Sequence, residues 1–236
     1  MAATPRPAEG RNTLIDALAA RDRARLLAAC RPMELVADAV LCKPREPLHE
    51  AVFPTSGAIS LLTDAALGPS FEVGLIGREG MLAVELALGL QAATLQAVVR
   101  VAGQAYRVPV VALRRELASS AGLRRVMAGY LQAQLSQLAG EPACVRFHSV
   151  VARLARSLLL VQDRLHSEHF HLTQDSLART LAVRRVSVTN AASALQREGI
   201  IRYRRGDITV TDRPALRAWA CGCYSGGDAG PGAKAR

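Results

Sequence analysis

Arginines gather in the C-terminal part of the chain, where their chemistry suits a polyanionic partner. Residues 144–236 contain 15 Lys/Arg and 7 Asp/Glu, a net charge of +8, whereas residues 1–143 contain 15 and 13, a net of +2. Nearly all of the C-terminal positive charge is arginine, whose guanidinium can fork onto a phosphate or a guanine. Five of these arginines are Arg184, Arg185, Arg202, Arg204 and Arg205. This distribution predicts a nucleic-acid partner.

Two short helices are predicted to position the first of these arginines. Thr173 can cap a helix that carries Leu177 and Leu181 on one face, and a second helix is predicted from Arg185 to Glu198, with Gly199 as its C-cap. The second helix has a small apolar arc of Val188, Ala192 and Leu195, and an opposite polar arc of Val186, Asn190, Ser193 and Arg197. Such a pair suits helix-turn-helix recognition of DNA, although many amphipathic helix pairs are only packed core elements.

A basic hairpin is predicted directly after the helix pair. Residues 200–205 and 208–210 alternate apolar with polar side chains, and Gly206-Asp207 is predicted to form the turn between them. The hairpin carries Arg202, Arg204 and Arg205, which strengthens the prediction of nucleic-acid binding. His166–His171, upstream of the pair, is predicted to be a polar connector.

The N-terminal half has the sequence pattern of a small β-structure. Pro and Gly recur at short intervals from Pro44 to Gly103, Gly68 and Pro69 among them. Short apolar segments lie between them, which favours a β-sandwich, barrel or roll. The predicted strands are Val36–Leu41, Ala51–Phe53, Ala58–Thr63, Phe71–Ile76, Val98–Val101 and Ala105–Val110. Ala83–Leu90 is a candidate helix inserted among them, and one or two short helices are predicted before Pro32, after a disordered tail of residues 1–11.

A long helix is predicted from about residue 113. Its apolar stripe keeps helical spacing through Leu131, Leu135 and Leu138, and could pack on the β-structure or on a second subunit. Gly140-Glu141-Pro142 is predicted to end this helix and to act as a hinge. A further helix, Cys144–Leu165, should lead into the helix pair.

The motifs together resemble the Crp/Fnr superfamily of bacterial transcription regulators. They are VFPTSGAISLL (52–62), LIGREGM (75–81), RFHS (146–149), LTQDSLARTLAVRRVSV (172–188) and LQREGIIRYRRGDITVTDRPAL (195–216). The resemblance implies an α+β fold in four segments: an N-terminal tail with short helices (1–28), a β-roll (29–112), a dimerisation helix with its hinge (113–143) and a winged helix-turn-helix domain (144–236). It also implies a homodimer on a pseudo-palindromic operator in double-stranded DNA, with RNA polymerase as a partner if the protein is an activator.

The family's base-reading positions transfer to this chain with two departures. Arg185 is expected at guanine, Val186 stands where an acidic residue is common, and Asn190 stands where arginine is common and would suit adenine. The operator should therefore differ from that of the best-known members. The expected DNA-contacting set, phosphate contacts included, is Thr173, Arg184, Arg185, Val186, Ser187, Thr189, Asn190, Arg202, Arg204 and Arg205.

The family's sensing chemistry transfers poorly. Cyclic-nucleotide members hold the phosphate with a Gly-Glu pair and a later Arg-Ser pair, but residues 93–96 here read Ala-Thr-Leu-Gln. A buried phosphate needs a compensating cation, so cyclic-AMP binding is not expected. The candidate ligand residues are Gly77, Arg78, Glu79, Gly80 and Arg100. A ligand-binding module in which DNA binding is secondary remains the alternative function.

No cofactor or metal site is expected. The five scattered cysteines, Cys30, Cys42, Cys144, Cys221 and Cys223, do not form a disulfide or iron-sulfur pattern. Cys221 and Cys223 could bind a metal only with His166, His169 or His171, and packing beside Trp219 and Tyr224 is preferred. The chain carries no Ser/His/Asp set, phosphate loop or HExxH pattern, so an enzyme is not expected. Without an apolar signal segment or a span of about 20 apolar residues, a cytoplasmic protein without a membrane partner is expected.

Overall fold

The computed structural model describes residues 11–63 and 70–224, with residues 141–143 as backbone only. The described chain divides into two compact units, residues 11–61 with 75–135, and residues 62–63 and 70–74 with 136–224. The predicted α+β class is confirmed, because a strand-rich region, residues 31–109, is followed by mostly helical residues 110–224. The predicted turn at Gly68-Pro69 and residues 1–10 of the predicted tail lie outside the described residues.

The strands of the N-terminal half form two sheets. The three-stranded sheet has the order β1 (Arg31–Leu35), β7 (Gly103–Pro109), β3 (Glu50–Pro54). The four-stranded sheet has the order β2 (Val40–Cys42), β6 (Gln96–Val101), β4 (Ala58–Thr63), β5 (Phe71–Ile76). Their inward side chains, among them Phe53 and Ile59, are fully buried in one apolar core.

Two predictions in this region are wrong in detail. The strand predicted over Val36–Leu41 starts too early, because β1 ends at Leu35 and the chain turns through Asp38, with a φ of 62°, before β2 begins at Val40. The helix predicted over Ala83–Leu90 is a 3-10 helix, Val84–Leu88. One or two short helices were predicted upstream, and the structure has two, α1 (Thr13–Asp16) and α2 (Ala20–Ala28).

The long helix was predicted with the wrong limits. It is interrupted at Ser120, which has extended backbone and separates α3 (Val110–Ser119) from α4 (Ala121–Phe147). The Ser120 hydroxyl accepts a hydrogen bond from the Leu123 amide at 2.9 Å, so it caps the new helix. At the other end, α4 continues through Gly140–Pro142 to Phe147, and the predicted hinge there is wrong. The break comes at Ser149, whose hydroxyl accepts from the Ala152 amide and starts α5 (Val150–Leu165).

The apolar stripe of α3 and α4 completes the core of the first unit. Leu113, Leu123, Met127 and Tyr130 are almost fully buried there. The Tyr130 hydroxyl donates to the carbonyl of Met81 at 3.0 Å. This contact pins α4 to the loop that follows β5.

The second unit contains helices around α5 and a small sheet. Besides α5 it contains α6 (Gln174–Leu181), α7 (Arg185–Arg197) and α8 (Arg213–Trp219). The sheet has the order β8 (His169–His171), β10 (Asp207–Val210), β9 (Ile201–Arg204). Among the described residues, no helix has the length and apolar character needed to cross a bilayer.

The sheet corrects two predictions about the basic hairpin. Part of the expected connector, His169–His171, is a strand that pairs antiparallel with β10. The turn of the hairpin is Arg205-Gly206, one residue earlier than predicted, because Arg204 pairs with Asp207 and both turn residues have positive φ, 53° and 92°. Two consecutive positive φ values match the twist of a tight hairpin, which explains glycine at the second position.

A methyl group at Gly80 should destabilise the protein. A Cβ there would overlap the buried ring of Tyr130, whereas a Cβ at Gly140 on α4 would meet nothing within 4 Å. We expect Gly80→Ala to lower the free energy of unfolding by about 1–3 kcal/mol through overpacking. Gly140→Ala should raise it by about 0.5–1 kcal/mol through helix propensity. Denaturant unfolding of both variants tests this pair, and equal effects would contradict the described packing.

We call the basic hairpin formed by β9 and β10 the wing. The titration of its Asp207 carboxyl depends on a hydrogen bond from His171. Because an ionised carboxylate only accepts, the ring Nδ1 of His171 donates to Asp207 at 3.0 Å, and this hydrogen bond lowers the pKa of Asp207. A lowered pKa means that the contact stabilises the fold above the ordinary pKa of aspartate, and that this contribution disappears as pH falls through the lowered value. In His171→Ala we expect the pKa of Asp207 to rise toward about 3.9 in a carboxyl NMR titration. His49→Ala is the control; an unchanged Asp207 pKa in His171→Ala would refute the assignment.

Candidate DNA-binding surface

The local sequence determines where each helix of the pair begins. The Thr173 hydroxyl accepts from the Ser176 amide at 3.1 Å and caps α6, as predicted. Ala182 ends α6 in a left-handed conformation, with a φ of 49°, and α7 begins three residues later, at Arg185. The tight turn fixes the direction in which α7 leaves α6.

The inner face of α7 is buried as its spacing predicted. Val188 and Leu195 are fully buried, Ala192 is nearly so, and the α6 residues Leu177 and Leu181 are buried as well. Both helices pack on α5, which contributes a largely apolar face. Small side chains at Ala191 and Ala192 allow α7 to approach this layer closely.

A buried arginine ties the layers together. Arg153 of α5 is only 7% exposed, and its guanidinium donates to the carbonyl of Leu181, the last residue of α6. This carbonyl at the helix end has no partner within the helix, so the contact satisfies it and holds the turn before α7. Arg153 was not predicted from the sequence; its signal is a charged residue inside an apolar helical stripe.

The outer face of α7 is open to solvent. Arg185, Thr189 and Asn190 are exposed, and Val186 is 60% exposed, which is high for a valine. Val186 is therefore not a buried turn residue. Arg184 is exposed and Ser187 half-buried at the start of the same helix. A polar helix face with one uncovered methyl-bearing side chain suits the major groove of DNA.

The side chain of Arg185 is held in place by α6. Its Nε donates to the amide oxygen of Gln174 at 2.9 Å, and the carboxylate of Asp175 lies 3.9 Å from it. The Thr189 hydroxyl donates to the same Gln174 oxygen at 3.3 Å. Gln174 thus orients two of the predicted DNA-contacting residues. Gln174 was not predicted from the sequence, since a half-buried glutamine at the first helical position has no distinctive signal.

The wing is anchored to the helix pair through Tyr203. Its amide donates to the side chain of Gln196 on α7 at 2.6 Å, and its hydroxyl donates to the carbonyl of Leu172 at 3.0 Å. Burial raises the pKa of Tyr203, which keeps the phenol protonated as a donor. The neighbouring wing residues Arg202, Arg204 and Arg205 are all exposed. The predicted arginines of the wing and of α7 therefore all lie exposed in the second unit.

The candidate ligand residues of the roll make contacts within their own unit. The carbonyls of Arg78 and Gly80 accept from Thr13 and from the Asn12 side chain, and the Glu79 carboxylate accepts from the Gly77 amide. Arg100 is buried in β6. These contacts give residues 77–80 a structural role, and no ligand is assigned to them.

An acidic side chain contacts the segment in which cyclic-nucleotide members of the family bind the phosphate. The amide of Thr94 donates to the carboxylate of Glu85 at 3.1 Å. Thr94 belongs to the segment in which cyclic-nucleotide members carry their Arg-Ser pair. A negative charge bound there opposes a phosphate at the same amide.

Known proteins match both the domain and the fold. Residues 152–219 match the family model of the Crp-like helix-turn-helix domain. Comparison with curated protein sequences gives no match. The family match thus covers α5, the helix pair, the wing and α8.

Several solved structures have a similar fold. FixK2 from Bradyrhizobium japonicum aligns with a TM-score of 0.68 at 15% identity, over 81% of this chain and 98% of that one. CLP from Xanthomonas campestris, described as a c-di-GMP responsive global regulator, aligns with 0.65 at 15%, over 81% and 99%. A CRP/FNR-family regulator from Thermus thermophilus aligns with 0.60 at 21%, over 80% and 98%. The expected resemblance is confirmed: residues 152–219 are a Crp-like helix-turn-helix domain, and the chain has the fold of the Crp/Fnr transcription regulators.

Proposed function

We propose that the protein is a transcription regulator that binds double-stranded DNA sequence-specifically through α7. The exposed outer face of α7, with Arg185 oriented by Gln174, carries this proposal. Arg185 would fork onto guanine, Asn190 would pair with adenine, and Val186 would contact a thymine methyl group. The remaining predicted contacts, which would bind phosphates and set the register, are Thr173, Arg184, Ser187, Thr189, Arg202, Arg204 and Arg205.

A homodimer is the proposed binding species. On α4, Ala128, Leu131 and Leu135 lie at helical spacing beside the stripe that faces the core, and Leu135 is 58% exposed. Two copies packed along this stripe would bury it and present two recognition helices. Their half-sites would lie about 34 Å apart, one turn of the DNA helix.

The roll is proposed as a scaffold that does not bind a cyclic nucleotide. The Glu85 carboxylate at the Thr94 amide, and the packed carbonyls of residues 78 and 80, support this reading. Binding of cyclic AMP would require the Glu85 contact to break and the phosphate to find another cation. These contacts do not support the alternative function, a ligand-binding module with secondary DNA binding.

The decisive variant is Arg185→Ala. Loss of one bidentate contact to guanine should weaken binding to the preferred duplex by about 1–3 kcal/mol per half-site, with binding to bulk DNA changed much less. Arg114→Ala on α3 is the matched control, since it removes an equally exposed arginine from the other unit. Fluorescence anisotropy with specific and random duplexes measures both. Equal losses in the two variants would refute the assignment of Arg185.

Gln174 is expected to act through Arg185. Gln174→Ala removes one hydrogen bond to Arg185 and one to Thr189, so specific affinity should fall by about 0.5–1.5 kcal/mol. In the Arg185→Ala background the same change should cost much less, because the two residues are coupled. A double-mutant cycle on the preferred duplex measures this coupling. Additive losses would show that Gln174 contacts DNA on its own.

A further inference from the structure

Three thiols and one imidazole converge in the second unit, outside the DNA-binding surface. The ligand atoms of Cys144, His148, Cys221 and Cys223 all lie within 4.8 Å of one another. Cys144 and Cys221 are buried, and Cys223 and His148 are half-buried at the edge of the cluster. The only partners that the sequence suggested for the tail cysteines, His166, His169 and His171, are not members of the cluster.

Secondary structure accounts for the convergence of these four residues. Cys144 lies in the last turn of α4, and the His148 amide donates to its carbonyl at 3.2 Å, so the two side chains are one helical turn apart. Cys221 and Cys223 follow α8, and the amide of Cys221 donates to the carbonyl of Ala152 on α5 at 3.3 Å. The cluster therefore joins the end of α4, the start of α5 and the segment after α8.

The segment that carries the two tail cysteines has its own anchors. Arg213 of α8 forms an ion pair with Asp163 of α5 at 2.6 Å. The Tyr224 hydroxyl donates to the same carboxylate at 2.8 Å. Because these contacts lie outside the cluster, the thiols are brought to Cys144 without needing a bond among themselves.

We propose that Cys144, His148, Cys221 and Cys223 bind one zinc ion. A tetrahedral site with Zn–S bonds of about 2.3 Å and a Zn–N bond of about 2.0 Å separates two sulfurs by about 3.8 Å, and a sulfur from a nitrogen by about 3.5 Å. The Cys144 and Cys221 sulfurs are 3.5 Å apart, and the Cys223 sulfur is 3.7 Å from the Nδ1 atom of His148. Cys₃His with all four positions filled by protein is a donor set of structural zinc sites.

The chemistry of the cluster fits a metal better than a thiol redox pair. Cys144 and Cys221 are buried, which limits the access that thiol–disulfide exchange requires, whereas three sulfurs and an imidazole nitrogen are ligands that zinc prefers. Zinc would displace the thiol protons to solvent. Three thiolates around Zn²⁺ leave one net negative charge, and the positive charge of Arg156 acts on Cys144 to offset it.

The site would fasten the long helix to the DNA-binding domain. The ion would crosslink the final turn of α4 to the segment after α8, both within the second unit. This role is independent of whether α7 binds DNA. It is the kind of closed structural site whose binding energy adds directly to the stability of the folded state.

Metal analysis of the purified full-length protein tests the proposal. Protein isolated under reducing conditions should contain about one zinc per chain. After exchange with Co²⁺, it should show thiolate-to-cobalt charge-transfer absorption. Alkylation followed by mass spectrometry should show that metal protects Cys144, Cys221 and Cys223, while the labelling of Cys30 and Cys42 is unchanged by metal.

Single variants identify the ligands. Cys223→Ser, at the half-buried edge of the cluster, should keep its circular dichroism spectrum while its zinc content falls sharply, and Cys30→Ser is the matched control with full zinc content. A wild-type protein that neither contains zinc nor gives the cobalt absorption overturns the proposal. Zinc content that stays undiminished in both Cys223→Ser and Cys221→Ser overturns it as well. So does wild-type protein that, isolated under the same reducing conditions, contains a Cys144–Cys221 disulfide and no zinc.

Discussion

The burial of one narrow face of α7 is the constraint on which the rest of the DNA-binding unit depends. Val188, Ala192 and Leu195 enter an apolar layer formed with α6 and α5, and each large side chain contributes about 1.5–3 kcal/mol of burial. Since a helix that buries one face must expose the opposite one, this packing alone turns Val186 and Asn190 to solvent. Arg153 and Tyr203 then fasten the turn and the wing to the same layer, so the exposed side chains are held on a rigid support.

Local patterns in the sequence predicted the elements of this support well. The start of α6 at Thr173, the limits of α7 and the strands β4 and β5 follow from caps and periodicity, which are properties of neighbouring residues. The predictions were wrong where a residue type is compatible with two local structures. Gly140–Pro142 looked like a helix end, yet α4 passes through it, and Ser120, which looked like part of one helix, caps the next. The strand His169–His171 was missed because its partner β10 lies almost 40 residues away.

The candidate functional residues divide in the same way. Arg185 and the wing arginines could be proposed from the sequence as DNA contacts, because their type and order resemble a family pattern. Gln174 could not, since its importance lies in one hydrogen bond to Arg185. The cluster of Cys144, His148, Cys221 and Cys223 was equally out of reach, because it depends on the packing of α8 against α5, which no local spacing encodes. The roll shows the reverse. Its fold resembles that of the family, but the Glu85 carboxylate accepts a hydrogen bond from the Thr94 amide, in the segment where cyclic-nucleotide members bind the phosphate.

Selection of duplexes from a random pool by the full-length protein tests the central claim, sequence-specific recognition by α7, most directly. We expect enrichment of a pseudo-palindrome with half-sites about 10–10.5 base pairs apart, centre to centre, each with a guanine that requires Arg185 and an adenine that requires Asn190. Added cyclic nucleotide should leave the selected sequence unchanged. A pool that shows no preference for any duplex over bulk DNA would contradict the account, and α7 would then be a packed core helix with a charged face.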